Sequence, residues 1–185
     1  MSRFCLLILF LTCAGTLAAQ GFQAPSKGKA VVYLVRPTNY QRDINTLVFD
    51  GDKFIADFQG TQYFRYECEP GKHVFWVSAE NVDFVVADLN ADSSYAIFIE
   101  TLAGSMMPKV KVSPMPPTHK KFHMAKWLIT NKAPVTEDSG VVDAENERMA
   151  AFIQRTMTQL KQSPDFNSRD KYLGPGGELE IGKYQ

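Results

Sequence analysis

Residues 29–37 read Lys29-Ala30-Val31-Val32-Tyr33-Leu34-Val35-Arg36-Pro37, and this stretch decides the fold. β-branched and aromatic residues favour an extended chain, and Pro37 ends the strand by withdrawing a ladder donor. Side chains alternate in direction, so Val31, Tyr33 and Val35 share one face and Ala30, Val32 and Leu34 the other. A strand with one wet face alternates apolar and polar residues. Here both faces are apolar, which predicts that both are covered.

Outward from this strand the chain repeats strand and turn. Residues 46–49 meet Asp50-Gly51, a hairpin signal, and 53–58 return. Gly60 precedes a strand at 62–67, and Pro70-Gly71 turns the chain into 72–78. Strands at 82–89, 95–100 and 109–112 follow, separated by Asn81, the polar loop 90–94 and Ala103-Gly104. Eight short strands without an intervening helical period predict an antiparallel, immunoglobulin-like β-sandwich over residues 28–113. Two more strands are apolar on both faces. In one, Phe75 and Val77 oppose Val74 and Trp76; in the other, Phe84 and Val86 oppose Val85 and Ala87.

The period changes after the proline cluster Pro114, Pro116 and Pro117. Residues 114–163 form a helical C-terminal extension, so the class is mainly β with C-terminal helices, α+β. From an N-cap at Asp143, Met149, Phe152, Ile153, Met157 and Leu160 recur at helical spacing, and Ser163-Pro164 stops the helix. This stripe is predicted to pack across the outer face of one sheet, because a large bare apolar face is unusual in a monomer. A shorter helix is expected near residues 119–130, with Phe122, Ala125 and Ile129 on one stripe. Residues 164–185, with Gly174-Pro175-Gly176-Gly177, read as an irregular or loosely attached tail.

The 185 residues contain 20 Lys plus Arg and 20 Asp plus Glu, and 45% of the chain is hydrophobic. This excludes collagen-like, disulfide-scaffold and wholly disordered classes. No excess positive charge exists to gather nucleic acid. Arg3, the apolar run 4–11 and the small residues at 14–19 have the layout of a secretory signal peptide over residues 1–19, and the run is too short to span a bilayer. The expected location is periplasmic or extracellular, with no transmembrane segment in the mature chain. A lipid anchor on Cys13 needs a Leu three residues before it and a small residue just before it; Phe10-Leu11-Thr12 matches poorly. Loss of residues 1–19 removes Cys5, Cys13 and Arg3, leaving Cys68 alone and a net charge of −1. No internal disulfide is then available. Cys68 reads as a small buried hydrophobe at a strand end, with a reactive nucleophile or a dimer bridge as the alternatives.

Few residues suggest chemistry. His73 begins a strand and reads as a hydrogen-bonded packing residue; the alternative is a ligand or general base. Arg36 reads as a strand-end charge before Pro37, with an anion site as the alternative. His119 and His123 stand at i and i+4 on the expected short helix, a spacing that can aim two imidazoles at one ion. The intervening Lys120, Lys121 and Phe122 include no Glu to act as base, and the lysines repel a cation. Glu67 and Glu69 are an acid pair by spacing alone. No phosphate loop, G-x-S-x-G elbow or CxxC pair occurs. No catalytic, cofactor-binding or metal residue is assigned.

Val32-Tyr33-Leu34-Val35-Arg36-Pro37 resembles the opening "VYvyRP" strand of a family of secreted bacterial β-sandwich domains known only as a domain of unknown function. The hairpin Val48-Phe49-Asp50-Gly51 with Ile55, and the turn from Tyr66 through Pro70-Gly71-Lys72-His73, follow in the family's order. Tyr95 matches an aromatic that begins a late strand. The "PGxH" turn is also loosely similar to PEGA-type surface modules. Over residues 29–113 the resemblance implies an envelope-associated sandwich and brings no catalytic residues. The function expected is a non-enzymatic, exported envelope module that binds a protein or glycan, with Tyr40, Tyr63, Tyr66 and Trp76 as candidate contact rings. The alternative is a small periplasmic hydrolase or metal-dependent enzyme using His73 or His119 with His123.

Overall fold

The computed structural model describes residues 21–104 and 108–184; the leader read over residues 1–19, with Cys5 and Cys13, lies outside them. In chain order the strands are β1 (Ala30–Arg36), β2 (Thr46–Asp50), β3 (Lys53–Phe58), β4 (Gln62–Cys68), β5 (Gly71–Ser78), β6 (Val82–Leu89), β7 (Ser93–Leu102), β8 (Lys109–Pro114) and β9 (Tyr172–Leu173). They form two sheets, ordered β4-β1-β7-β8 and β3-β2-β5-β6-β9. Ala30, Val32, Leu34, Ile97 and Val112 of the first meet Val48, Phe75, Val77 and Val85 of the second in a dry core.

The sandwich is as expected, but its pairing is mixed where all-antiparallel was read. β1 runs parallel to β7, and β6 parallel to β9. The first departure has a local cause. Asp92, at φ 58, donates its N–H to Lys29 O at 2.7 Å, and its carboxylate accepts from Gly28 N at 2.7 Å. The starts of β1 and β7 are thereby pinned together, and the strands leave in the same direction.

Both outer faces are covered by helices. α2 (Ser139–Lys161) lays Met149, Ile153, Met157 and Leu160 over Phe49, Phe54, Trp76 and Phe84, so the stripe read from the sequence packs on the five-stranded sheet. Phe49 and Trp76 stack beneath it at 3.7 Å between ring centres, and Trp76 Nε1 donates to Gly51 O at 2.8 Å. α1 (Phe122–Asn131) covers the other sheet. Its Phe122, Ala125, Leu128 and Ile129 pack on Val31, Tyr33, Val35 and Phe98. The residues of β1 that point away from the core are therefore all fully buried.

The helix starts differ from the sequence reading. α2 begins after Asp138, not Asp143, because the Asp138 carboxylate accepts from Gly140 N at 2.8 Å and caps an earlier turn. α1 begins at Phe122 because a turn precedes it: His119 N donates to Pro116 O at 2.8 Å, and Phe122 N to His119 O at 2.8 Å. His119 is outside the helix, so it and His123 do not share one helical face as i and i+4. The tail, expected to be irregular or loosely attached, is irregular but packed. Its 3-10 turns span Pro164–Asn167, Arg169–Lys171 and Ile181–Lys183. Leu173 and Leu179 are buried, and Leu179 N donates to Ser94 O at 2.7 Å.

The sheet edges are closed by distant residues. Asn81 bonds both backbone groups of Val110 on β8, accepting at 2.7 Å and donating at 3.0 Å. Asn146 of α2 does the same for Phe54 on β3, at 2.7 and 3.1 Å. Asp83 accepts from Val112 N, and Glu137 from Asp57 N. Val135 N donates to Tyr63 O on the β4 edge at 2.8 Å. Unpaired edges are templates for strand addition, and these carry polar partners instead.

Candidate functional site

Two of the sequence motifs meet. Asp50, from the hairpin of β2 and β3, and His73, from the turn into β5, lie side by side. Their strands pair, and Gly51 N donates to Val74 O at 2.9 Å. His73 Nδ1 donates to the Asp50 carboxylate at 2.8 and 2.9 Å, and Nε2 donates to Glu69 O at 2.9 Å. Both partners are acceptors only, so both bonds form together when the ring carries two protons. The hydrogen bond to Asp50 accordingly raises the His73 pKa, against the opposing pull of burial. A ring with both nitrogens donating has no lone pair for a general base. Lys29, Tyr66, Glu67, Cys68 and Glu69 complete a shallow cleft of about 350 Å³ here. Burial first, then the Asp50 carboxylate, push the Cys68 thiol up to about 12, so at neutral pH it is an inert packing group. The acid pair is engaged elsewhere: Glu67 with Arg65, and Glu69 with Lys29.

Arg36, read as a strand-end charge, is fully buried. Its guanidinium donates to Ile44 O at 2.8 Å, Thr46 Oγ1 at 2.9 Å and Gln41 O at 2.8 Å. The polar loop 38–45 wraps it, and these acceptors offset the burial of a charge without a carboxylate partner, although Nε is buried with no partner among the described residues. Burial lowers its pKa. The role is structural: one side chain holds the loop between the two sheets.

The three histidines lie apart. His123 is exposed on α1, with Nδ1 at 3.1 Å from Lys120 O. His119 packs against Phe98, 5.6 Å between ring centres, and its Nδ1 accepts from Lys121 N at 3.2 Å. Burial, then Lys121 and Lys120, lower its pKa. Among the described residues no three His, Cys, Asp or Glu side chains gather where an ion could sit. Of the candidate contact rings, Trp76 and Tyr63 are core, Tyr66 is partly buried against Phe64 and Phe75, and only Tyr40 is exposed.

The sequence reading missed a cleft of about 610 Å³ where β7 and β8 meet the turn before α1 and the Arg169–Lys171 turn. Lys111, Lys120, Lys121, Arg169 and Lys171 line it, against the acids Glu100 and Asp170. Lys121 pairs with Glu100 and lies 5.1 Å over the Phe98 ring. Lys171 is bound to Asp83 at 2.6 Å and to Val112 O at 3.0 Å. Lys111, Lys120 and Arg169 are exposed and form no ion pair among the described residues. A second cleft of about 330 Å³ adjoins, sharing Arg169 and Tyr172 and adding Lys72, Asp88 and Phe166. Only the adjacent Lys120 and Lys121 hinted at this; the lining comes from segments far apart in the chain. No helix of the described residues is long and apolar enough to cross a membrane.

No family model matches the chain, and no curated protein matches it in sequence.

Proposed function

We propose that this protein is an exported, non-enzymatic module of the cell envelope that binds a protein or glycan partner. The observation that supports this best is how its polar side chains are used. His73, Asp50, Arg36 and the edge asparagines are consumed in bonds that hold the fold, whereas the basic cleft presents unpaired cations to solvent. Groups poised for catalysis are expected to converge with free lone pairs in one pocket, and the histidines here do not converge. Export rests on the layout of residues 1–19, and the envelope setting on the resemblance of the β1, hairpin and "PGxH" segments to secreted sandwich modules.

The test has two parts. Mass spectrometry of the protein from its producing cells is expected to give an N-terminus near Gln20, and the immobilised chain is expected to retain a stoichiometric partner from envelope extract. An intact Met1 in the cytosol overturns export. Turnover of a hydrolase substrate that disappears in His73→Ala, or in His119→Ala with His123→Ala, overturns the non-enzymatic reading.

A further inference from the structure

Several described strand-edge positions that could accept a peptide strand are already bonded. Val110 and Val112 of β8 are held by Asn81, Asp83 and Lys171, Phe54 of β3 by Asn146, and β4 by Val135. β9 is two residues long and Gly174-Pro175 follows it. Strand addition relies on free main-chain groups, and at these positions recognition falls to side chains.

The joined clefts supply two kinds. The first is charge: Lys111, Lys120 and Arg169 are unpaired, beside Lys121 and Lys171, which already pair with Glu100 and Asp83. The second is an exposed ring. Tyr172 is 46% exposed, and the outer end of its side chain lies against Gly174. A Cβ on Gly174 would stand 2.6–2.7 Å from Tyr172 Oη, Cζ and Cε1, so a larger residue there would push the tyrosine aside. An aromatic face beside cations suits a sugar ring bearing acidic groups: the apolar face of the sugar on the tyrosine, the acid on lysine and arginine. From this juxtaposition we infer that the cleft shared by Arg169 and Tyr172 binds an acidic glycan, its negative groups on Lys111, Lys120 and Arg169 and a sugar ring on Tyr172. This rests on the binding-module reading above and names its ligand class.

His119 reports on the site. Its pKa is held down partly by Lys121 and Lys120, and a bound anion offsets both charges, so occupancy raises it.

The experiment measures binding of the purified chain to oligogalacturonate, to a phosphate-bearing mannan, to neutral maltoheptaose and to polyglutamate, with the His119 titration followed by NMR. Either or both acidic glycans are expected to bind, and which of them does separates carboxylate from phosphate as the acidic group. Binding should weaken as salt rises, and maltoheptaose should not bind. Lys111→Gln with Arg169→Gln should weaken binding by about tenfold or more. Tyr172→Ala should weaken it several-fold while Tyr172→Phe retains it, and an unchanged thermal melt shows that these exposed variants fold. The acidic glycan should raise the His119 pKa. Polyglutamate binding as well as the glycans, indifferent to Tyr172→Ala, overturns the glycan assignment in favour of charge alone. No acidic glycan bound also overturns it. If envelope extract still yields a partner in that case, the wider binding reading stands; if it yields none, both fail.

Discussion

Asp50 and His73 are 23 residues apart in sequence, and their side chains lock together, both carboxylate oxygens within 2.9 Å of one ring nitrogen. The pair joins the β2–β3 hairpin to the turn that starts β5. The hairpin also receives the indole N–H of Trp76 at Gly51 O, so an ion pair on the rim and a stacked ring in the core fix it from two sides.

The pH dependence follows from the sign of the shift. Unfolded, His73 titrates near 6.5, and in the fold its pKa is raised, first by the hydrogen bond to Asp50. Its stabilisation is therefore complete below about pH 6.5 and is lost as pH rises through the raised folded value. Urea unfolding at pH 6 should show Asp50→Asn less stable than wild type by about 1–3 kcal/mol. The gap should narrow by pH 9. A gap that is constant or widens with pH contradicts a doubly protonated ring.

Asn81 and Asn146 each satisfy the N–H and C=O of one edge residue. Replacing either with Ala leaves two backbone groups without partners, and about 1–3 kcal/mol of destabilisation is expected for each site. The exposed edges should also pair between molecules. Light scattering at rising concentration should show oligomers for the double variant and none for wild type.

Ile153 sits at 1% exposure in the cluster between α2 and the Phe49–Trp76 stack. Ile153→Ala should cost about 2–5 kcal/mol. Removing α2 and all that follows it should expose apolar surface that binds a hydrophobic dye. Val141, on the same helix but 53% exposed, serves as the control: Val141→Ala should change stability by less than about 0.5 kcal/mol.

Cys68 should not react with a thiol reagent at pH 8 in the folded protein, because burial and neighbouring acids hold it protonated up to about 12. It should react fully in denaturant. Fast labelling of the native chain would place the thiol at the surface and reopen it as a nucleophile.

Much of the architecture was legible in local pattern. Eight strands, the Asp50-Gly51 and Pro70-Gly71 turns and the Met149-to-Leu160 stripe are one-dimensional signals, set by alternation, turn chemistry and helical period. The doubly apolar Lys29–Arg36 segment even required a cover on both faces, although α1 as the second cover did not follow from it. Other features carry no local signal. Asn146 and Phe54 are 92 residues apart, and nothing in either segment announces a side chain bonding a strand edge. Asp138 won the N-cap over Asp143 because its carboxylate meets free N–H groups, which spacing alone does not rank. Asp92 directed a parallel β1–β7 pair through one left-handed residue. The basic cleft escaped because its cations come from β8, the turn before α1 and the 169–171 turn.

The place of β1 has a kinetic consequence. It lies in the middle of its sheet, yet its neighbours are β4 and β7 and its outer cover is α1, all made later in the chain. Most of its stabilising contacts are thus remote in sequence, and closing such loops must precede any reward from the contacts. Chains with this topology fold in about milliseconds to seconds, not microseconds. Until α1 and α2 arrive, a nascent sandwich has two bare apolar walls, so assembly waits on the last third of the chain.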